Sequence, residues 1–183
     1  MTNETNRIGA LPMWAVVPLT LNCYSLLMTR QQTLFSAPQT EIGNDDWCTP
    51  KWIFDTLGLT FDLDVALPPT PVPWIPARRF YTAADDGLSQ EWQGLIWMNP
   101  PFSKMTPWAD RFREHGNGIA LLPLTHNRWT QNIWTSEAAI HLLPSTLKFV
   151  KADGREMGIQ FAPLLVAMGD QAIEALHKLG RVR

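Results

Sequence analysis

The run Gly94-Leu95-Ile96-Trp97-Met98, followed at once by Asn99-Pro100-Pro101-Phe102-Ser103, constrains the fold more than any other stretch. Leu95 to Met98 has the length and apolarity of a buried strand. Two prolines end it, because neither carries the N–H that a central ladder needs. A polar Asn is therefore expected at the carboxyl end of a strand, the edge where open α/β sheets hold ligands. Its side-chain oxygen and the Pro100 carbonyl can accept hydrogen bonds from an exocyclic amino group. The Phe102 ring can stack on the base that carries that group. The bland alternative is an ordinary turn after a strand.

Further strands are expected near 61–66, 78–82, 119–122, 140–143 and 163–168, alternating with short helices or loops. This alternation predicts an α/β fold with a mostly parallel sheet. Phe61-Asp62-Leu63-Asp64-Val65-Ala66 alternates with period two, which puts Phe61, Leu63 and Val65 on one face and both acids on the other. Two acids on one face are odd in a sheet buried on both sides. Thr49 suits an N-cap and Pro50 a first helical position, so a helix is expected from Pro50 to Leu57, ending at Gly58, with Trp52, Ile53 and Leu57 inward. Helices are also expected at Pro107–His115, Gln131–Ala139 and Gln171–Leu179. Trp108 and Phe112 would face inward, Arg111 and Arg113 solvent or a phosphate. Leu147 to Val150 reads as a strand or an ordered turn.

A length of 183 residues suits one domain with a proper core. Residues 44–183 are read as that domain and residues 1–43 as an N-terminal arm. Leu11 to Met28 is mostly apolar, but Pro12, Pro18, Asn22 and Ser25 make it a poor membrane span. A signal peptide lacks a clean cleavage site. Met28-Thr29-Arg30-Gln31 looks like an alternative start. The formal charge of −2 gives no global attraction to nucleic acid, so any DNA contact must come from a local basic face. Cys23 and Cys48 have no metal spacing, and His115, His126, His141 and His177 are scattered, so no metal is expected. Reduced cytoplasm is the default compartment.

Asn99-Pro100-Pro101-Phe102 resembles the N-P-P-(Y/F) motif of amino-group methyltransferases that use S-adenosylmethionine. With Asp85-Asp86-Gly87-Leu88-Ser89-Gln90-Glu91-Trp92 beside it, the chain is similar to the phage-type DNA N6-adenine methyltransferases, from about Asp46 to Gly169. The resemblance implies a Rossmann-like methyltransferase fold, S-adenosylmethionine as cofactor, double-stranded DNA as partner, and a phage or prophage origin in a bacterial cytoplasm. A monomer is expected.

Residue roles follow from the resemblance. Asn99, Pro100, Pro101 and Phe102 would form the catalytic motif. Trp47, Thr49 and Pro50 would open a helix lying against the cofactor's methionine end. Phe61 to Ala66 would be the cofactor strand, with Asp64 favoured over Asp62. Asp86, with Asp85 as alternative, would face the cofactor's adenine amino group. By their own chemistry, His126, Arg128 and Trp129 after the next strand suit backbone contact and stacking on DNA, or equally a cap on the following helix; Lys148 is a further phosphate candidate. The loop from Leu67 to Pro76 departs from the pattern, since it has five prolines and no glycine where most cofactor loops of this superfamily use glycine. The tetrapeptide does not separate adenine from cytosine N4, RNA or a protein glutamine amide. A non-catalytic DNA-binding module of the same fold stays open.

Overall fold

The computed structural model describes residues 48–70, 72–159 and 161–183. The N-terminal arm, the alternative start and Trp47 lie outside them.

Three strands form the frame. β1 is Leu63–Asp64, β2 is Ile96–Met98 and β3 is Gly118–Pro123, buried at every residue. They pair in parallel, Leu63 beside Ile96 and Ile96 beside Gly118. β4 is Ala139–Leu142, β5 Lys148–Val150, β6 Glu156–Gly158 and β7 Pro163–Met168. The main sheet has the order β1-β2-β3-β7-β4, and β5 and β6 form a separate two-stranded sheet. β7 runs antiparallel to both β3 and β4, and its ladders are the longest in the sheet. The expectation of a mostly parallel sheet is thereby corrected: the sheet is mixed. Parallel neighbours need a crossover, usually a helix. Between β4 and β7 the chain makes only the β5–β6 hairpin, so β7 starts at the end where β4 stopped.

Alternation along the strands fills two apolar layers. Trp97, Ile119, Leu121 and Leu165 pack with Ile53, Phe54 and Leu57 of α1 (Lys51–Leu57) and with Leu176 of α4 (Asp170–His177). Ile96, Met98, Ala120 and Leu122 pack with Trp108 and Phe112 of α2 (Met105–His115) and with Trp129 and Ile133 of α3 (Arg128–Trp134). Helices on both faces explain why the strands read as continuous apolar runs.

Several expected details are corrected. Pro50, not Thr49, stands at the cap position of α1, and no side chain among the described residues caps that helix. Trp52 is 43% exposed, and Phe54 takes the inward place, edge-on to Trp97 at 4.7 Å between ring centroids. Ile53, Phe54 and Leu57 are the residues that share a stripe at helical spacing. α3 begins earlier than expected and stops at Trp134, where the Thr135 hydroxyl bonds back to the Gln131 carbonyl. Phe61 packs in one layer while Leu63 and Val65 pack in the other, so the chain bends at Asp62. The segment expected at 78–82 forms no regular strand. It lies along β1 as an irregular edge, through isolated bridges of Ala77 to Phe61 and Phe80 to Asp64.

Candidate active site

The carboxyl ends of β1, β2 and β3 share one sheet edge, and Asp64, Asn99, His126 and Arg128 lie at it. Trp97 pairs with Asp64 across the β1–β2 ladder, which puts Asn99 two residues past that pair. Asn99 is half-buried and Pro100 buried. A 3-10 turn at Phe102–Lys104 then runs directly into α2. Phe102 meets Phe161 edge-on, with centroids 5.0 Å apart, so the chain entering β7 supports the motif's ring.

Asp62 and Asp64 occupy different environments. Asp62 accepts the Leu95 amide at 2.9 Å and an Arg78 guanidinium N–H at 2.7 Å. The Leu95 bond, with Arg78 adding to it, holds its carboxyl below the usual range. It pins the start of β2, the end away from the motif. Gly94 has φ +74°, and a Cβ there would lie 2.3 Å from the Asp62 carboxylate, which explains the glycine before the strand. Asp64 is 1% exposed and accepts the Ala66 amide at 3.0 Å. Burial pushes its carboxyl up to about 7.

The block from Asp85 to Trp92 is a braced loop docked on the end of β1. Gly87 lies so close that a Cβ would meet the Val65 carbonyl oxygen at 2.1 Å. The buried Trp92 indole N–H donates to the Gly87 carbonyl at 2.7 Å. The Arg111 guanidinium, from α2, donates to the Leu88 and Gln90 carbonyls and stacks 5.0 Å from the Trp92 ring centroid. The expectation that Arg111 faces solvent or a phosphate is therefore corrected; it clamps this loop. Asp85 is consumed locally, accepting the Thr82 amide at 2.8 Å and hydroxyl at 2.7 Å. Asp86 is exposed and has φ +52°. An open cleft of about 550 Å³ lies on the α2 side of the loop, between Trp92, Arg111, Asp110 and Glu114, and includes none of the candidate residues.

Thr49 is 1% exposed, and its hydroxyl has no hydrogen-bond partner among the described residues. The proline-rich loop that leaves β1 reaches it, since the Trp74 indole N–H donates to the Thr49 carbonyl at 2.9 Å. Beyond β3, His126 and Arg128 are exposed at the same edge as Asn99. Trp129 is not available to stack: it is 2% exposed and belongs to the α3 core. Lys148 lies on the small sheet, 2.8 Å from the Glu156 carboxylate. Among the described residues no group of His, Cys, Asp and Glu could hold a metal ion, and no helix is long and apolar enough to cross a membrane.

The sequence reading missed Arg111 and Phe161. An arginine on an amphipathic helix carries no mark of the two carbonyls it will meet, and Phe161 stands in an unremarkable link.

A mixed α/β sheet with helices on both faces and an Asn-Pro-Pro-Phe turn at its carboxyl edge is the frame of an amino-group methyltransferase. Residues 37–167 match the family described as DNA N-6-adenine-methyltransferase (Dam). The chain belongs to that family, and its activity is methylation of adenine N6 in DNA. No curated protein matches it in sequence. A methyltransferase of this kind implies a methyl donor of the S-adenosylmethionine type. The residues fit one: Asp64 is a buried carboxyl with acceptor capacity beyond the Ala66 amide, and Thr49 offers a buried hydroxyl without a partner among the described residues.

Proposed function

We propose that the chain transfers the methyl of S-adenosylmethionine to adenine N6 at the sheet edge between Asp64 and Asn99. The observation that carries this reading is the pairing of Asp64 with Trp97. Neighbouring strands lie about 4.8 Å apart. A donor held at the end of β1 and an amino group held just past β2 are therefore neighbours, without any domain movement.

S-adenosylmethionine, when bound, supplies an electrophilic methyl group on a sulfonium. Asp64, Thr49 and the exposed Asp86 would hold it through its amino, hydroxyl or ammonium groups, with Asp85 shaping the turn behind Asp86. Pro50 and Trp47 complete the set suggested by the sequence. The target adenine must leave the duplex stack, at a cost of a few kcal/mol. Phe102 offers the flipped base a ring face that replaces part of the lost stacking. The Asn99 side-chain oxygen and the Pro100 carbonyl would accept hydrogen bonds from the two amino N–H groups. That turns the nitrogen lone pair, otherwise delocalised into the ring, toward the methyl. N6 would gain the methyl as the methyl's bond to the sulfonium sulfur breaks, the electron pair staying with the departing thioether, and the surplus N6 proton would pass to solvent. This is positioning plus electrostatic stabilisation. His126 and Arg128 contribute contacts to the DNA backbone from the same edge.

The test uses unmethylated duplex DNA, S-adenosylmethionine and nucleoside analysis by mass spectrometry. The parent chain is expected to yield N6-methyladenine. Asn99→Ala should lower transfer at least about a hundredfold while calorimetric binding of S-adenosylmethionine persists. Near-normal transfer by that variant would refute the assignment.

A further inference from the structure

We propose that the β5–β6 hairpin, Lys148 to Gly158, is the element that reads the bases flanking the target adenine. This rests on the placement of the methyl-transfer edge given above.

The first argument is position. The chain leaving β6 reaches Phe161 three residues later, and that ring touches Phe102 of the motif. The next residue, Ala162, accepts the Leu124 amide at 2.8 Å, tying the same link to the loop after β3. On its other side the hairpin is joined to the segment before α1. Cys48 and Val150 exchange backbone hydrogen bonds at 3.2 and 3.1 Å. The hairpin therefore flanks the motif and the Cys48–Thr49 segment together. DNA presenting an adenine to Asn99 brings its neighbouring bases against this ribbon.

The second argument is rigidity at the base and exposure beyond it. Leu147 and Phe149 are buried, while all of β6 is exposed. The tip is closed by the Lys151 amide on the Arg155 carbonyl and the Gly154 amide on the Lys151 carbonyl, both at 2.8 Å. A two-stranded ribbon has dimensions that the major groove admits.

The third argument is chemistry. Residues 148–158 carry three cations, Lys148, Lys151 and Arg155, against two carboxylates, Asp153 and Glu156. A phosphate clamp would be one-signed. Base reading needs donors and acceptors together, Arg or Lys for guanine, Asp or Glu for the cytosine amino group, and an apolar contact for the thymine methyl. Lys148 pairs with Glu156 and Arg155 with Asp153 in exposed ion pairs. Such pairs cost little to exchange for base edges. Met157 lies opposite Phe149 in the ladder yet is 41% exposed, which leaves an apolar side chain overhanging the buried base of the ribbon.

The experiment uses the full chain and a panel of duplexes that vary the bases beside one adenine. Initial methylation rates, the rate on a single-stranded oligonucleotide and S-adenosylmethionine affinity are measured. Asp153→Ala with Arg155→Ala should compress the ratio between best and worst duplex contexts by roughly tenfold. Single-strand rate and cofactor affinity should stay within about twofold. Lys148→Glu with Glu156→Lys retains an ion pair and the fold, and should change which context is preferred. A uniform loss of rate across all duplexes, or an unchanged ranking in both variants, would overturn the proposal. So would a parent enzyme with no context preference. If Asn99→Ala keeps its activity, the placement of the methyl-transfer edge fails instead, whatever the hairpin variants do.

Discussion

At one end of the first strand, Asp62 accepts the Leu95 amide and the Arg78 guanidinium. At the other, two residues on, Asp64 is buried and accepts the Ala66 amide. The same side chain is committed to the scaffold in one place and kept in reserve in the other. The difference comes from the sheet. Asp62 faces the start of β2, where a strand's first N–H lacks a ladder partner. Asp64 faces the carboxyl end, where protein groups run out and a ligand can supply the rest. A buried polar group with acceptor capacity left over is costly, so its presence at this edge argues for a use.

The largest effect expected from breaking this contrast is on the cofactor. Asp64→Asn should weaken S-adenosylmethionine binding roughly tenfold to a hundredfold, the range for hydrogen bonds to a charged partner. Asp62→Ala should leave that affinity unchanged and cost about 1 kcal/mol of stability, from the Leu95 amide it orphans. The figure is at the low end because the Asp62 side chain is 36% exposed. Calorimetric titration with S-adenosylmethionine and denaturant unfolding separate the two. Equal affinity losses would dissolve the distinction.

The two acids should also slope oppositely with pH. Asp64 titrates at about 7 in the fold, against about 4 when unfolded. The folded chain thus holds a proton that the unfolded chain has released, and this group's stabilising contribution fades as pH rises from about 4 to 7. Asp62 is lowered instead. Its contribution is present above the unfolded value and is lost as pH falls through the folded one. Asp64→Asn should therefore melt above the parent at pH 7, with the gap closing toward pH 4. Asp62→Asn should melt below the parent at pH 7, with its gap closing in acid. Thermal melts across that range check both signs. Parallel curves for the Asp64 variant and the parent would mean the carboxyl is not protonated by burial.

The brace on the neighbouring loop ranks next. Arg111→Met removes two charged hydrogen bonds to the Leu88 and Gln90 carbonyls and should cost about 2 kcal/mol. Because the loop carries Asp86, KM for S-adenosylmethionine should rise several-fold while kcat changes less. A fall in kcat alone would place Arg111 in the chemistry rather than behind it.

What could be read from the sequence follows the same division between local and distant causes. The β2 strand and its Pro-Pro stop were legible because proline removes a ladder donor wherever it stands. The direction of β7 was not: Pro163 to Met168 is apolar throughout, and such a run reads the same in either orientation. The preference for Asp64 over Asp62 came from counting toward the strand end; the structure adds that Asp64 is buried while Asp62 is tied to Leu95 and Arg78. The bend at Asp62, which sends Phe61 to the opposite layer from Leu63 and Val65, leaves no trace in a perfect period-two pattern. Trp129 misled for a related reason. It follows a polar loop, but Trp129 and Ile133 fall on one helical stripe, and that stripe decides its burial.

The contrast recurs in miniature on the braced loop, where the smallest effect is expected. Asp85 is spent on the Thr82 amide and hydroxyl, which hold its carboxyl below the usual range. Asp86 instead stands exposed at φ +52°, a conformation that few residues other than glycine accept and that Asp and Asn tolerate best. A positive φ here turns the chain so that the Asp86 carbonyl takes the Ser89 amide and hydroxyl, both at 2.8 Å, while its side chain points outward. Asp86→Asn keeps that backbone and removes the charge. If Asp86 faces the donor's amino group, this variant should bind S-adenosylmethionine a few-fold more weakly with no shift in melting temperature. Asp85→Asn should leave binding closer to the parent value, since its oxygen can still accept from Thr82. A stronger binding loss for Asp85→Asn than for Asp86→Asn would reverse the assignment and make Asp85 the cofactor-facing acid.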